Sequence, residues 1–388
     1  MTKPFPPSYR HWDIFCTVID NYGDIGVTWR LAKQLALDFN IDVRLWVDDL
    51  NSFSHILPEL DITLSQQKIM GVRIYHWRQY LLEKWQGGEA LIEAFACTLP
   101  PWVLGPLTSL DQAPKWLNLE YLSAEPWIDG CHGLPSLQSN EISKHFYFPG
   151  FTPSSGGLIC EHNLFDERDK WQGDPENKAR LLQELNIEGV NSEDTLISIF
   201  SYENSALLNL CQSWRQAKNT IHALIPIGHS LNSLKHLVPA GLNLTPGDSL
   251  ILDSLILHIL PMTNQHSYDR LLWSCDFNIV RGEDSFIRAQ WAAKPFIWHI
   301  YNQKNDTHLD KLSAFSDLYI NSLDNVTGQA WSSLNLAFNQ QDGETAVKMW
   351  KVLQEHHGLM DKHVIKWPIL ALNDADLATR LVQFVKKG

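Results

Sequence analysis

The sequence lacks the features of a secreted or membrane protein. Its six cysteines contain no C-x-x-C pair, and most lie in apolar segments, which favours buried, reduced thiols. The apolar stretch LILDSLILHILPM is broken by polar residues well short of a membrane span. The first residues, MTKPFPPSYRHW, have neither the apolar core nor the small-residue cleavage site of a signal peptide. We therefore expect a cytoplasmic protein that does not bind a membrane.

Positive charge and metal-binding patterns are also scarce. The chain carries 31 Lys and Arg against 44 Asp and Glu, whereas nucleic-acid-binding proteins have a basic footprint. None of the 16 histidines belongs to an H-E-x-x-H motif, and EHHGLMDKH lacks a carboxylate at metal-ligand spacing. We expect no metal, no cofactor and no nucleic-acid partner. An acidic chain favours a protein partner with a basic side chain.

The residues that are abundant describe a globular protein of enzyme size. The 388 residues are enough for two domains, and 44% are hydrophobic while 19% are charged. The 16 tryptophans favour large core side chains over a carbohydrate-binding platform.

Strands and helices alternate along both halves of the chain. In the first half, apolar runs predict strands at 12–19, 42–47, 72–77, 90–96 and 115–122. In the second half, they predict strands at 195–202, 220–228, 255–261, 276–280 and 295–301, followed by helix or loop beyond 303. The alternation predicts an α/β fold with two doubly wound parallel sheets facing each other across a cleft. Pro, Gly and Ser cluster near 150–175, so we place the domains at 1–165 and 166–388.

The stretch VIDNYGDIGVTWRLAKQLA (18–36) links the first strand to a helical stripe. It places two aspartates, Asp20 and Asp24, at the carboxyl end of the strand, where α/β sheets bind ligands. A tight turn, with Asp24 near the helix start favouring the helix dipole, explains the same residues without a site. The spacing of Gly23 and Gly26 is not a dinucleotide fingerprint.

NIVRGEDSFIRAQWAAKP (278–295) repeats this strand-loop-helix design in the second half. Asp284 or Ser285 is placed to cap the helix, but capping leaves the preceding Arg281-Gly282-Glu283 unexplained. A helix start beside an arginine favours a diphosphate, and Glu283 is placed to hold a sugar hydroxyl or to act near the reacting carbon. Carboxylates in one domain and an anion site in the other indicate group transfer from a nucleotide diphosphate, with a nucleotide sugar favoured over a dinucleotide.

Several segments together resemble the bacterial protein-arginine rhamnosyltransferases that modify elongation factor P, the EarP family. They are FCTVIDNYGDIGVTWRLAKQLA, EAFAC, WLNLEYLSAE, GGLI and NIVRGEDSFIRAQWAAKPFIWHIY, in order from about residue 12 to 313. The resemblance implies a GT-B fold, in which the second domain binds dTDP-β-L-rhamnose and the first receives elongation factor P. It also implies inversion at the anomeric carbon.

The resemblance assigns roles residue by residue. Asp24 matches the general base, Asp20 its essential neighbour, and Glu283 the second catalytic residue. Positions that match donor-binding residues are Asn21, Tyr22, Gly23, Tyr202, Gln265, Tyr268, Arg281, Gly282, Glu283, Asp284, Ser285 and Tyr301. The chain departs from the family at Met262 and Tyr268, where phenylalanine is usual, and at Asn302, which replaces a proline.

Alternatives to this function are a transferase or epimerase acting on a small molecule, and a non-catalytic nucleotide-sugar binding module. The intact Asp20, Asp24 and Glu283 argue against the silent module. Glu93, Glu120 and Glu125 end or follow first-domain strands, and we expect some of them to guide the basic acceptor; solvated strand ends or caps explain them at least as well.

Overall fold

The computed structural model describes residues 11–19, 22–77, 85–138 and 142–387. These residues form two compact units. The first comprises the chain up to His162 together with the residues from Ala371 onward, and the second comprises Asn163–Leu370.

The first unit is built on a mostly parallel sheet. Its strands are β1 His11–Cys16, β2 Asp42–Val47, β3 Gln66–Ile69, β4 Val72–His76, β5 Ala90–Ala94, β6 Lys115–Leu119, β7 Pro135–Leu137 and β8 Ser143–Tyr147. Its helices before residue 162 are α1 Gly23–Leu37, α2 Leu50–Ser54, α3 Pro101–Leu107 and α4 Trp127–Cys131. Within the described residues the strand order is β3-β4-β2-β1-β5-β6-β8-β7, and only the hairpins β3–β4 and β7–β8 are antiparallel.

The centre of this sheet is β1, whose six residues are all buried. It pairs in parallel with β2 on one side and β5 on the other, so the strand order reverses between β1 and β5. In open α/β sheets, ligands bind outside the carboxyl ends of the strands at such a reversal. The loop after β1 therefore lies at the position where this unit is expected to bind a ligand.

The second unit repeats the plan. Its strands are β9 Thr195–Ile199, β10 Ile221–Pro226, β11 Ser249–Leu252, β12 Leu255–Leu260, β13 Phe277–Arg281 and β14 Phe296–His299. Its helices are α5 Leu164–Gly173, α6 Pro175–Glu184, α7 Ser205–Trp214, α8 His229–Asn232, α9 Gln265–Ser274, α10 Asp284–Trp291, α11 Thr307–Ile320, α12 Asn325–Asn339, α13 Gly343–Glu355 and α14 His357–Leu372, whose last two residues fall in the first unit. Among the described strands the order is β11-β12-β10-β9-β13-β14, which reverses between β9 and β13.

Helix α12 covers the edge strand β14. The Asn335 and Asn339 side chains accept hydrogen bonds from the backbone N–H groups of Trp298 (2.8 Å) and Ile300 (3.1 Å). Asn339 also donates to the Trp298 carbonyl at 2.8 Å. These amides satisfy backbone groups that an exposed edge would leave open to pairing with another chain.

The predicted α/β class and the two alternating halves are confirmed, but the domain division needs correction. The structure divides the chain after residue 162 rather than 165, and it returns the last residues to the first unit instead of leaving them in a domain spanning 166–388. The last helix, α15 Leu377–Lys387, is fixed there by hydrogen bonds to backbone carbonyls of the first unit. Leu377 N–H donates to the Leu158 carbonyl at 2.8 Å, and the Arg380 guanidinium donates to the carbonyls of Thr152 and Ser155.

The sequence pattern predicts no strand between residues 122 and 195, but this segment contains β7 and β8, together with helices α4, α5 and α6. The other strands that the sequence pattern missed, β3 and β11, are short and partly exposed, so neither carries a buried apolar run. The first strand ends at Cys16 rather than Ile19. None of the helices within the described residues is long and apolar enough to cross a membrane.

Candidate functional site

The loop between β1 and α1 presents a buried carboxylate. Asp24 lies in the first turn of α1 and is only 2% exposed. Its Oδ2 accepts a hydrogen bond from the backbone N–H of Ile19 at 2.9 Å, and its Oδ1 accepts one from the hydroxyl of Tyr121 at 3.0 Å. The neighbouring Asp20 and Asn21 lie outside the described residues.

Asp24 is not a helix cap. The N-cap position of α1 is Tyr22, whose side chain makes no capping hydrogen bond within the described part of the chain. The Tyr22 ring packs edge-on against His55, with ring centroids 5.8 Å apart. Gly23 is the first helical residue and is partly buried. A carboxylate in the first turn is favoured by the helix dipole, but the dipole does not require it to be buried, so the dipole explains only part of this arrangement.

Tyr121 is a site residue that the sequence reasoning missed. It follows β6, and its ring stacks on Phe95 at 4.6 Å between centroids. Phe95 and Ala96 both have left-handed backbone conformations, with φ of 57° and 53°. Two successive non-glycine residues in this region store strain, which is typical of functional sites. The carboxyl-end position of Tyr121 in WLNLEYLSAE was the available signal.

The second unit presents Arg281 at the carboxyl end of β13, beside the reversal in strand order. Its guanidinium lies over the rings of Phe200 (4.4 Å) and Tyr202 (4.8 Å), which follow β9. Within the described residues, no ion pair joins Arg281 to a carboxylate. Arg281 is 6% exposed, so the pocket of aromatic faces holds a cation out of bulk water. An anionic ligand would supply the missing counter-charge.

Gly282 gives the chain its turn after Arg281. Its φ of 63° lies in the left-handed region that favours glycine. Its N–H donates to the His299 carbonyl at 3.2 Å, and its carbonyl accepts from the Trp298 indole at 2.7 Å. These bonds fix the backbone immediately before Glu283 and the start of α10.

Aromatic side chains from β9 and β14 meet beside Arg281. The Tyr202 ring contacts His299 at 5.2 Å and Tyr301 at 5.7 Å, both edge-on. Burial, with Arg281 and His308 nearby, lowers the pKa of His299 to about 3, so this imidazole is neutral at pH 7. Arg281 is then the cation of the cluster. Tyr301 is 47% exposed and offers an open ring face for stacking.

The remaining predicted donor residues lie next to the same loop. The buried Gln265 donates to Asp284 Oδ2 at 3.4 Å. The ring of Tyr268 packs against Phe200 at 5.8 Å. Burial raises the pKa of Tyr268, so its hydroxyl is neutral, and the hydroxyl has no hydrogen-bond partner among the described residues. The predicted donor residues from Tyr202 to Tyr301 are therefore brought together in the second unit.

The capping prediction for the second loop is wrong. The N-cap residue of α10 is Glu283, and no side chain caps this helix. Asp284 and Ser285 are already in the first turn, because β13 ends at Arg281 and leaves only two residues before the helix. The Asp284 carboxylate accepts the hydrogen bond from Gln265 instead.

Glu93 is not among the glutamates that could guide the acceptor. Glu93 lies within β5, is 4% exposed, and accepts hydrogen bonds from the Trp116 indole (3.0 Å) and Lys144 (2.8 Å). Burial raises the pKa of Glu93. A carboxylate inside the core cannot guide a partner from solvent. Glu120 and Glu125 accept hydrogen bonds from Asn118 and Ser123, which are local to their own segment.

Two cavities in the second unit lie at the opposite end of its sheet. They have volumes of about 410 and 440 Å³, and both are lined by Gln172, Asp276 and Lys294 near the amino ends of strands. Neither is lined by a predicted site residue. Throughout the described part of the chain, no group of three or more His, Cys, Asp and Glu side chains is arranged to hold a metal ion.

Two doubly wound units, with a buried carboxylate in one and a buried arginine before a helix start in the other, fit a glycosyltransferase, the class to which the relatives named below belong. Residues 12–386 match the family described as elongation factor P (EF-P) rhamnosyltransferase EarP. The chain belongs to this family.

The alignments with its relatives cover nearly the whole length of each protein. A protein-arginine rhamnosyltransferase of Shewanella oneidensis is 58% identical, with 97% of this chain and 98% of the relative covered. The Pseudomonas putida protein of the same name is 43% identical, with 97% and 99% covered. A solved structure described as "Structural basis for EarP-mediated arginine glycosylation of translation elongation factor EF-P" is 32% identical, covers 97% of this chain and 99% of its own, and has a TM-score of 0.67.

Proposed function

We propose that this enzyme transfers L-rhamnose from dTDP-β-L-rhamnose to an arginine of elongation factor P, with inversion at the anomeric carbon. The observation that supports the proposal most directly is Asp24, a buried carboxylate oriented by two hydrogen bonds at the strand reversal of the first unit. The S. oneidensis relative, named for protein-arginine rhamnosylation, supports the acceptor class.

Arginine is a difficult nucleophile because its guanidinium is protonated at any physiological pH. In the proposed step an arginine nitrogen forms a bond to C1 of rhamnose while the bond from C1 to the diphosphate oxygen breaks. Asp24 accepts the proton that the nitrogen loses, and the electron pair of the broken bond leaves with dTDP. Attack opposite the leaving group inverts C1, so the β-linked donor gives an α-linked product.

The donor requires charge stabilisation of its leaving diphosphate. Arg281 and the backbone N–H groups at the start of α10 supply it in this proposal, without a metal ion. Tyr202 and Tyr301 provide aromatic faces for stacking of the thymine base of the donor. The loop is surrounded by Gln265, Tyr268, Asp284 and Ser285. In this proposal Glu283, between Arg281 and α10, acts near the sugar, and Asp20 holds the acceptor guanidinium.

The direct test is incubation of the purified enzyme with dTDP-β-L-rhamnose labelled in the sugar and with elongation factor P. We expect label on one arginine of the factor, located by peptide mass spectrometry, and the same yield in EDTA. Activity lost in EDTA and restored by Mg²⁺ or Mn²⁺ would contradict the metal-free proposal. Label released on a small molecule would favour another transferase or an epimerase, and donor binding without turnover would favour a silent binding module.

A further inference from the structure

We propose that Tyr121 is a positioning residue, which orients the carboxylate of Asp24 through a hydrogen bond from its hydroxyl. The inference rests on the proposed function, because it takes Asp24 as the base of the reaction. Tyr121 would then affect the reaction only by orienting Asp24, without touching the substrates itself.

The carboxylate of Asp24 is held at both oxygens. Tyr121 donates to Oδ1 at 3.0 Å, and the backbone N–H of Ile19 donates to Oδ2 at 2.9 Å. Two donors on different oxygens fix both the position and the plane of the group. Each carboxylate oxygen has two lone pairs, so accepting one of these two hydrogen bonds does not by itself prevent an oxygen from accepting a proton. The base is thereby oriented without being neutralised by these bonds.

Tyr121 is itself held by the carboxyl ends of β5 and β6. Its ring stacks on the buried Phe95, with an interplanar angle of 22°. The Phe95 N–H donates to the Leu119 carbonyl at 2.7 Å, and the Ala96 N–H donates to Asn118 Oδ1 at 3.2 Å. These bonds maintain the left-handed backbone of both residues. The strained backbone of this turn therefore holds the Phe95 ring on which Tyr121 stacks.

A phenylalanine at this position would retain the stacked ring but lose the hydrogen bond to Asp24. The carboxylate would then lose the donor that fixes Oδ1, while the Ile19 N–H still donates to Oδ2. Small misplacements of a reacting group reduce the rate steeply while leaving ground-state binding intact. The hydroxyl of Tyr121 is therefore expected to affect turnover more than substrate affinity or folding.

The experiment compares Tyr121→Phe with the wild-type enzyme in the labelled-rhamnose assay. We expect kcat to fall about tenfold or more, as for loss of a hydrogen bond to a charged group, with the donor KM and the melting temperature nearly unchanged. The matched control is Tyr319→Phe, which removes a buried hydroxyl that has no hydrogen-bond partner among the described residues of the second unit. The control should retain wild-type kcat. Wild-type kcat in Tyr121→Phe would overturn the inference.

A double-mutant cycle shows whether Tyr121 acts through Asp24. In an Asp24→Asn background, Tyr121→Phe should cause little further loss, because the base that it orients is already absent. Full additivity of the two losses would overturn the positioning role and leave the base assignment standing. If Asp24→Asn alone retains wild-type kcat, the proposed base fails, whatever the result for Tyr121. Phe95→Leu, which keeps the hydroxyl but removes the stacking surface, should lower kcat less than Tyr121→Phe.

Discussion

Asp24 is buried at the strand reversal and accepts hydrogen bonds from two donors. Its substitution by asparagine tests whether the carboxylate serves the reaction or only the structure. Asp24→Asn keeps the size of the side chain but cannot accept the proton. We expect turnover to fall about 10²-fold or more, the usual contribution of a positioned base, with little change in donor affinity or stability. Steady-state kinetics, calorimetry and thermal melting measure the three quantities. Asp42→Asn, which alters an exposed ion pair with Arg73, is the control and should remain active.

Arg281 is the cation of the second loop, and its removal tests the anion site. Arg281→Ala should weaken binding of dTDP-rhamnose by roughly 1.5–3 kcal/mol, because a charge-assisted contact to phosphate is lost. Isothermal titration calorimetry gives the affinity directly. Arg270→Ala removes another arginine that lies over an aromatic ring, that of Trp171, and should leave the affinity unchanged. Equal donor affinity in the wild type and in Arg281→Ala would remove Arg281 from the phosphate site.

At the scale of elements, the two loops owe their positions to the strands before them and the helices after them. Helix α10 ends in an unusual way: Ala293, just after its C-cap residue Ala292, has φ of 52°, where glycine is the common residue. Ala293→Gly removes an unfavourable contact between Cβ and the backbone. The free energy gained in this way exceeds the cost of the extra conformational entropy that glycine gives the unfolded chain. We expect a gain of about 0.5–1 kcal/mol in the free energy of unfolding.

Denaturant unfolding at pH 7 measures this gain. Gly189→Ala is the converse change, because Gly189 has φ of 74° with open space around its Cβ position. It should destabilise the protein by a similar amount, about 1 kcal/mol. A loss of stability in Ala293→Gly would show that the alanine methyl group packs better than its backbone conformation indicates.

For the whole molecule, buried histidines couple stability to pH. Burial lowers the pKa of His363 from 6.5 to about 4. Between these values the unfolded chain binds a proton that the folded protein does not, so the stability present above pH 6.5 falls as the pH decreases toward 4. His363→Phe keeps an aromatic ring against Tyr319 and Trp367 but cannot titrate.

The variant should therefore lose less stability than the wild type between pH 6.5 and 4. The slope of its free energy of unfolding against pH should correspond to about one proton fewer taken up on unfolding. Urea unfolding at several pH values gives this slope. His363 Nδ1 also lies 3.1 Å from Ser322 Oγ, so Ser322→Ala controls for loss of that contact and should keep the wild-type slope. Identical slopes in the wild type and His363→Phe would mean that His363 titrates normally in the folded protein.

The sequence by itself determined the class of fold and the place of both loops. Alternating apolar runs and helical stripes identified β1, β2, β9 and β13, because buried parallel strands are continuous in sequence and recognisable from local composition. The motifs around Asp24 and Arg281 are equally local. Their chemistry could be inferred from residue type and from position after a strand.

Only the tertiary structure decided which distant residues meet. Tyr121 reaches Asp24 from 97 positions away because β6 lies two strands from β1 in the same sheet. The same long-range pairing buries Glu93 beside Lys144 rather than exposing it, and it returns the last helix to the first unit through Leu158 and Arg380. Strand order and register set these contacts. They depend on packing between elements far apart in the chain, which no local pattern of residues specifies.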